Sequence, residues 1–330
     1  MDKIALWDKD ALRELFNETA IRKKVTPSIA EKDFWVTWVL SKIFNDPYLS
    51  SILMFKGGTS LSKVFNVIGR FSEDIDLILD WNTVVQDNPM LGRSKTKQLE
   101  FNHELNQSAH KFLISNLLPK LTNLLKPLCN CELNQDTDLV INVNYPEIFH
   151  DNYLRPQILL EIGPLAAWLP FSQYSITSFA AECFPNLFDQ NKYNVKAIVA
   201  ERTFWEKVTI LHHEANRPED SKLPLRYSRH YYDLAMLTLS SIKLTALKQA
   251  NLLKDVIEFK QKFYPRTWAK YDECLIGNLK LTPPDYRISG LNADYKQMRT
   301  MIFGDYPEFN EILSILHELE DEINRLNKIF

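Results

Sequence analysis

The stretch FKGGTSLSKVFNVIGRFSEDIDLILD, residues 55–80, decides how this chain is read. It reads as a strand ending at Lys56, a glycine turn, a short helix, and a second strand opening on Asp74 and Asp76. Side chains two apart on a strand share a face, so the two carboxylates project side by side while Ile75 and Leu77 face the other way. Paired carboxylates repel and raise each other's pKa unless a cation lies between them. An all-oxygen pair of this kind suits Mg²⁺, which is usually held by one or two carboxylates together with substrate phosphates. Ser72, two residues before Asp74, shares that face and lies close to any phosphate held there.

The turn completes the pattern. Gly57 and Gly58 let the backbone approach a ligand closely. Thr59 and Ser60 can cap the following helix and offer hydroxyls, and free N–H groups at a helix start attract phosphate. Lys56 and Arg70 flank the segment and offset triphosphate charge. A DxD alone is most often a solvated strand end, and a Gly-Gly alone only a turn. In this order and spacing the two fit nucleotidyl transfer from a nucleoside triphosphate.

The segment resembles the polymerase-β-like nucleotidyltransferase superfamily, whose signature is a Gly-Gly or Gly-Ser turn followed by a DxD. More narrowly, KGGTSL (56–61) and RFSEDIDL (70–77) resemble the AbiEii/AbiGii toxin family, which includes the MenT toxins. VKAIVAERTFWEKVTIL (195–211) resembles that family's lysine helix, RHYYDLAML (229–237) its arginine–aspartate motif, and IAEKDFWVTWVL (29–40) an early helix. The resemblance covers residues 20–240. It implies an α+β fold: a mixed sheet with flanking helices, followed by a C-terminal helical domain. It also implies a toxin of a bacterial toxin–antitoxin or phage-defence operon, with Mg²⁺ or Mn²⁺ as the metal and an NTP as substrate. An RNA acceptor, a tRNA 3′ end, and a cognate antitoxin encoded nearby complete the expectation.

Four further residues carry candidate roles. Glu161 stands in QILLEIGP, a strand in which Leu159, Leu160 and Ile162 suggest partial burial. The superfamily places a third carboxylate on a neighbouring strand, to complete the metal site or activate the attacking hydroxyl; a salt bridge is the plainer role. Lys207 borders the apolar stripe Phe204, Val208 and Leu211, from which it can reach a triphosphate as a point charge. Asp233 can orient Lys207, accept the acceptor's proton or contact the nucleotide. Arg229 lies one helical turn before Asp233 and can pair with it. His212, His213 and His230 read as packing or surface residues, because adjacent helix positions point about 100° apart and do not chelate as a pair.

A length of 330 residues, 45% of them apolar, allows one large or two modest domains. The pattern divides near Pro164: residues 1–165 form the α/β core with N-terminal helices, and residues 166–330 a mainly helical domain completing an active-site cleft. Expected helices cover 8–22, 27–45, 99–126, 194–215, 226–240, 244–265 and 307–328, and residues 87–97 read as a polar mobile loop. Ile312, Leu313, Leu316, Leu319 and Ile323 recur at helical spacing as a packing stripe. A net charge of −3 does not announce a nucleic-acid binder. Local basic patches at 22–24, 93–97 and 217–229 can still hold RNA. Cys129, Cys131, Cys183 and Cys274 have no zinc spacing and read as reduced thiols of a cytoplasmic protein. The run 158–171 is broken by Glu161, Gly163 and two prolines, so no membrane span is expected. Two other readings share the glycine–DxD segment: a small-molecule nucleotidyltransferase, and a nucleotide-sensing module without catalysis. The lysine helix and RHYYDL weigh against the first, and the intact carboxylate pair against the second.

Overall fold

The computed structural model describes residues 1–151 and 154–326. They form two compact units: Met1–Val64 with Phe71–Ile198, and Phe65–Arg70 with Val199–Phe330.

The first unit is built on a seven-stranded mixed sheet. Its strands are β1 (Leu53–Lys56), β2 (Asp74–Leu79), β3 (Asn130–Leu133), β4 (Val140–Asn144), β5 (Gln157–Gly163), β6 (Phe171–Ile176) and β7 (Tyr193–Ile198), in the spatial order β3-β4-β5-β2-β1-β7-β6. The central strand β2 pairs antiparallel with β1 and parallel with β5. Strand alternation sorts the residues by face. Phe55, Ile75, Leu77, Leu160, Ile162, Val195 and Ala197 join the main core. The opposite face carries Lys56, Asp74, Asp76 and Glu161, with Met54, Ile78 and Ile198 as an apolar cluster beside them.

Helices start where local chemistry dictates. Asp8 caps Lys9–Lys23 by accepting from Asp10 and Ala11 N–H. Pro27–Asn45 begins with proline in its first turn, and Thr26 accepts from Ile29 N–H. That helix lays Phe34, Trp35, Val39 and Leu40 into the core. The segment 87–97 is tied down by Arg93, which donates to the carbonyls of Asn88, Pro89 and Leu91 and lies over the Phe101 ring at 3.9 Å.

The structure moves the change of character along the chain. β6 and β7 follow Pro170, where helices were expected, and the helical part begins at Ala200 instead of 194. The physical reason is the pairing of β7 with β1, which returns the chain to the sheet. The alternation of Tyr193, Val195 and Ala197, all buried, was the signal for that strand.

In the second unit, Phe309–Arg325 buries Ile312, Leu316, Leu319 and Ile323 of the expected stripe, with Leu313 only half-buried and Phe309 added, and begins with a capping box from Glu308 to Glu311. Ala200–Ala215 buries Phe204, Trp205, Val208 and Leu211, and Arg229–Leu239 buries Tyr231, Tyr232, Leu234 and Leu237. The segment Phe65–Arg70 belongs here because Phe303 N–H donates to Gly69 O at 2.8 Å and Gly69 N–H to Tyr232 Oη at 3.2 Å. A Cβ at Gly69 would lie 2.8 Å from the Phe303 carbonyl oxygen, so the close approach requires glycine. Among the described residues no helix is long and apolar enough to cross a membrane.

Candidate functional site

Asp74 and Asp76 are half-buried on the polar face of β2, side by side as the alternation predicts, with Ile75 and Leu77 fully buried behind them. The glycine turn is built against them. Gly57 has φ +80°, in the left-handed region, and a Cβ there would lie 1.9 Å from Asp76 Oδ2. Only glycine allows this backbone to meet that carboxylate. The Thr59 hydroxyl donates to the Asp74 carbonyl, and at 3.3 Å to that of Ser72. Ser60 Oγ donates to Gly57 O at 2.8 Å. Both hydroxyl protons are therefore spent within the turn, and neither caps the seven-residue helix Gly57–Lys63, whose cap position is Lys56. Ser72 is half-buried beside the strand.

Asp74 is the strained member of the pair. Its Oδ1 is buried without a hydrogen-bond partner among the described residues. Burial pushes its pKa up, and the neighbouring charges of Glu73 and Asp76 push the same way, against Lys32 and Arg155. A buried carboxylate oxygen left without a partner costs free energy that a cation would recover. The donor set fits a hard, oxygen-preferring ion such as Mg²⁺.

Glu161 lies across the β5–β2 ladder from Asp76, so the two share a face. It is exposed, contrary to the partial burial expected from its apolar neighbours. Leu160 and Ile162 fill the opposite face, where strand alternation puts them. Among the described residues no three His, Cys, Asp or Glu side chains gather to hold a metal ion. Lys56 stands opposite Asp76 on β1.

A second cluster lies within the helical unit. Asp233 is fully buried and receives Arg70 in a fork, Nε to Oδ1 at 2.6 Å and a terminal nitrogen to Oδ2 at 2.9 Å. Lys207 Nζ donates to the same Oδ2 at 2.7 Å and to His230 Nδ1 at 3.0 Å. Burial alone would raise the Asp233 pKa, but Arg70 and Lys207 outweigh it and hold the carboxyl below the usual range. Burial lowers the Lys207 pKa and the Asp233 charge opposes the change. Burial, with the positive charges of Lys207 and Arg229, keeps His230 well below its ordinary value and therefore neutral. With Arg70 and Lys207 positive and Asp233 negative, the cluster carries one positive charge in excess.

Three expectations change here. Arg229 is exposed and does not pair with Asp233; the partner is Arg70, 163 residues away in sequence. Arg70, expected to offset triphosphate charge, is engaged by Asp233. His230 accepts from Lys207 and is more than a packing residue. His212 and His213 are buried, and burial pushes His212 down to about 4.

Sequence reasoning also passed over the charges inside IAEKDFWVTWVL. Lys32 pairs with Glu73, directly before Asp74, at 2.9 Å. Asp33 pairs with Lys63, the last residue of the glycine-turn helix, at 2.6 Å. Three consecutive charges in an otherwise apolar helix were the available signal. In the basic patches, Arg22 donates to Cys183 O, Lys23 pairs with Glu182, and Arg217 forks onto Glu214.

A family model described as nucleotidyl transferase AbiEii toxin, type IV toxin–antitoxin system, matches residues 38–315. Among solved structures the chain is similar to MenT4, a nucleotidyltransferase toxin from Mycobacterium tuberculosis H37Rv, at 14% identity and a TM-score of 0.48, covering 95% of this chain and 97% of that one. It is also similar to JHP933 from Helicobacter pylori, at 15% identity and a TM-score of 0.43, covering 91% and 94%. No curated protein matches.

Proposed function

The chain belongs to the AbiEii nucleotidyltransferase toxin family, and from that premise we propose that it transfers a nucleoside monophosphate from an NTP to an RNA acceptor, the 3′ end of a tRNA, in the cytoplasm. The observation that carries this reading is the partnerless buried Oδ1 of Asp74, beside Asp76 and against a turn that only glycine can form.

Asp74 and Asp76 are the residues that would hold Mg²⁺, or Mn²⁺ in its place. When bound, the ion neutralises phosphate charge and orients the triphosphate for in-line displacement. The Gly57–Gly58 backbone lets phosphate oxygens approach, since no Cβ intervenes. Ser72 and Lys56 border the same face. The acceptor hydroxyl oxygen forms the new bond to the α-phosphorus as the bond to the β-phosphate oxygen breaks and pyrophosphate leaves. Glu161, exposed and opposite Asp76, is read as the group that completes the metal site or takes the hydroxyl's proton. Lys207, steered by Asp233 and His230, and with Arg70 beside it, is read as a holder of phosphate through its excess positive charge. The family's type IV toxin–antitoxin membership supports a cognate antitoxin as the regulatory partner.

The test is label transfer from each of the four NTPs to total tRNA, with Mg²⁺ present or chelated, for wild type and Asp76→Ala. The expected outcome is label on RNA for one or more NTPs, lost on chelation and in the variant, and falling as salt rises because phosphate contacts grip the acceptor. Label on small molecules alone would support the small-molecule transferase instead. No transfer at all, with NTP binding intact, would support the sensing module.

A further inference from the structure

The helix Pro27–Asn45 is apolar along most of its length, yet Glu31, Lys32 and Asp33 sit within it at no more than 1% exposure. Successive helix positions point about 100° apart, so the three side chains leave the helix on different bearings. Glu31 accepts from Ile148 and Phe149 N–H at 2.8 and 3.0 Å. Lys32 donates to Glu73 Oε2 at 2.9 Å and to Arg155 O at 2.8 Å, while Arg155 N–H donates to the same Glu73 oxygen at 3.2 Å. Asp33 accepts from Lys63 Nζ at 2.6 Å and from Phe179 N–H at 2.7 Å.

Two of these latches end on the two arms of the carboxylate site. Glu73 is bonded directly to Asp74, at the start of β2. Lys63 is the last residue of the helix that begins at Gly57. The arms also meet each other, through the Thr59 hydroxyl on the Asp74 carbonyl and the Gly57 backbone against Asp76. One helix therefore holds both arms through neighbouring residues. Stability is a poor reason for such pairs, since apolar groups of similar volume often replace a buried ion pair without loss. Geometry is a better one: a buried pair with further hydrogen bonds has one arrangement, and it passes that arrangement to the backbone beside it.

We propose that Lys32 and Asp33 are positioning residues of the metal site, setting the spacing between the Gly57–Gly58 turn and the Asp74–Asp76 pair through Glu73 and Lys63. The proposal rests on the reading of Asp74 and Asp76 as ion-holding carboxylates. Both residues precede the span 38–315 matched by the family model.

The experiment is Mn²⁺ titration followed by electron paramagnetic resonance, without nucleotide, on the full chain. The variants are Lys32→Met with Glu73→Leu, Asp33→Asn with Lys63→Met, and Asp76→Ala as reference. Each double variant removes one positive and one negative charge together, so the net charge at the site is kept. Circular dichroism and thermal unfolding establish that each variant is folded. The expected result is folded double variants whose Mn²⁺ dissociation constants rise roughly 10- to 100-fold, the usual consequence of losing groups that orient metal ligands. Wild-type Mn²⁺ affinity in both folded double variants, with binding lost in Asp76→Ala, overturns the positioning role alone. Wild-type binding in Asp76→Ala overturns the carboxylate reading and the proposal with it. Should a double variant fail to fold, Glu73→Asp decides, because it keeps the charge and shortens the reach by one carbon: a raised dissociation constant supports the proposal and an unchanged one overturns it.

Discussion

The sheet unit and the helical unit treat a carboxylate in opposite ways. Asp74 is left with a buried oxygen that no group among the described residues satisfies, and its pKa is pushed up. Asp233, buried more completely, is met by a guanidinium fork and an ammonium, and its pKa is pulled down. Burial alone would raise both, so the difference is made by the cations. At the first site burial and the charges of Glu73 and Asp76 outweigh Lys32 and Arg155. At the second, Arg70 and Lys207 outweigh burial.

The largest expected effect breaks the comparison at its first member. Asp74→Ala and Asp76→Ala should each lose label transfer by roughly a thousandfold or more, the several kcal/mol that metal-assisted charge stabilisation supplies. Rates measured on folded variants check this, and full Mg²⁺-dependent activity in either would end the metal assignment.

The second member is tested by stability. Asp233→Asn leaves Arg70 and Lys207 buried without their counter-charge, which should cost on the order of 3–5 kcal/mol. Urea unfolding measures it. The sign in pH follows from the lowered pKa: the contribution is present above the ordinary carboxylate value and is lost as pH falls through the folded one. An unchanged midpoint would mean that the fork contributes only geometry.

A third prediction carries the contrast into the core of the sheet unit. Glu31 accepts from two backbone N–H groups, yet burial outweighs them and lifts its pKa from 4.5 to about 7. Its contribution is therefore full below pH 4.5 and declines as pH rises to about 7. The loss should be on the order of 3 kcal/mol. Glu31→Gln should flatten that decline in a series of unfolding curves across this range. The same slope in the variant would assign the pH dependence to another group.

The smallest effect is one of sign. In metal-free buffer Asp74→Asn should leave stability unchanged or slightly raised, because it removes a charge that burial disfavours. A clear loss of melting temperature would show that Asp74 is compensated within the protein after all, and the two regions would then be alike.

Local chemistry was legible in the sequence. Strand alternation placed Asp74 and Asp76 together, the helices expected over 8–22 and 27–45 form at Lys9–Lys23 and Pro27–Asn45, and the spacing of Ile312, Leu316, Leu319 and Ile323 marked a buried stripe. Each depends on neighbours within a turn or two, where period and capping act directly. β7 was legible in principle, but its alternation runs straight into the lysine helix, and a short apolar run does not declare its period.

Partnership was not legible. Arg70 stands four residues before Asp74 in sequence, yet its guanidinium is held by Asp233, 163 residues further on, because Phe303 and Tyr232 dock the 65–70 segment within the same unit. Lys32 and Glu73 are 41 residues apart, and their pairing exists only once the helix Pro27–Asn45 lies against the start of β2. An i,i+4 rule proposes Arg229 for Asp233 because it counts only helix neighbours, while a fully buried carboxylate takes whichever cations the fold brings to it. The sequence by itself determined which residues could carry charge and which face of each element they occupy. Tertiary structure alone decided which charges are cancelled and which are left open, because compensation depends on distances between segments that no local period encodes.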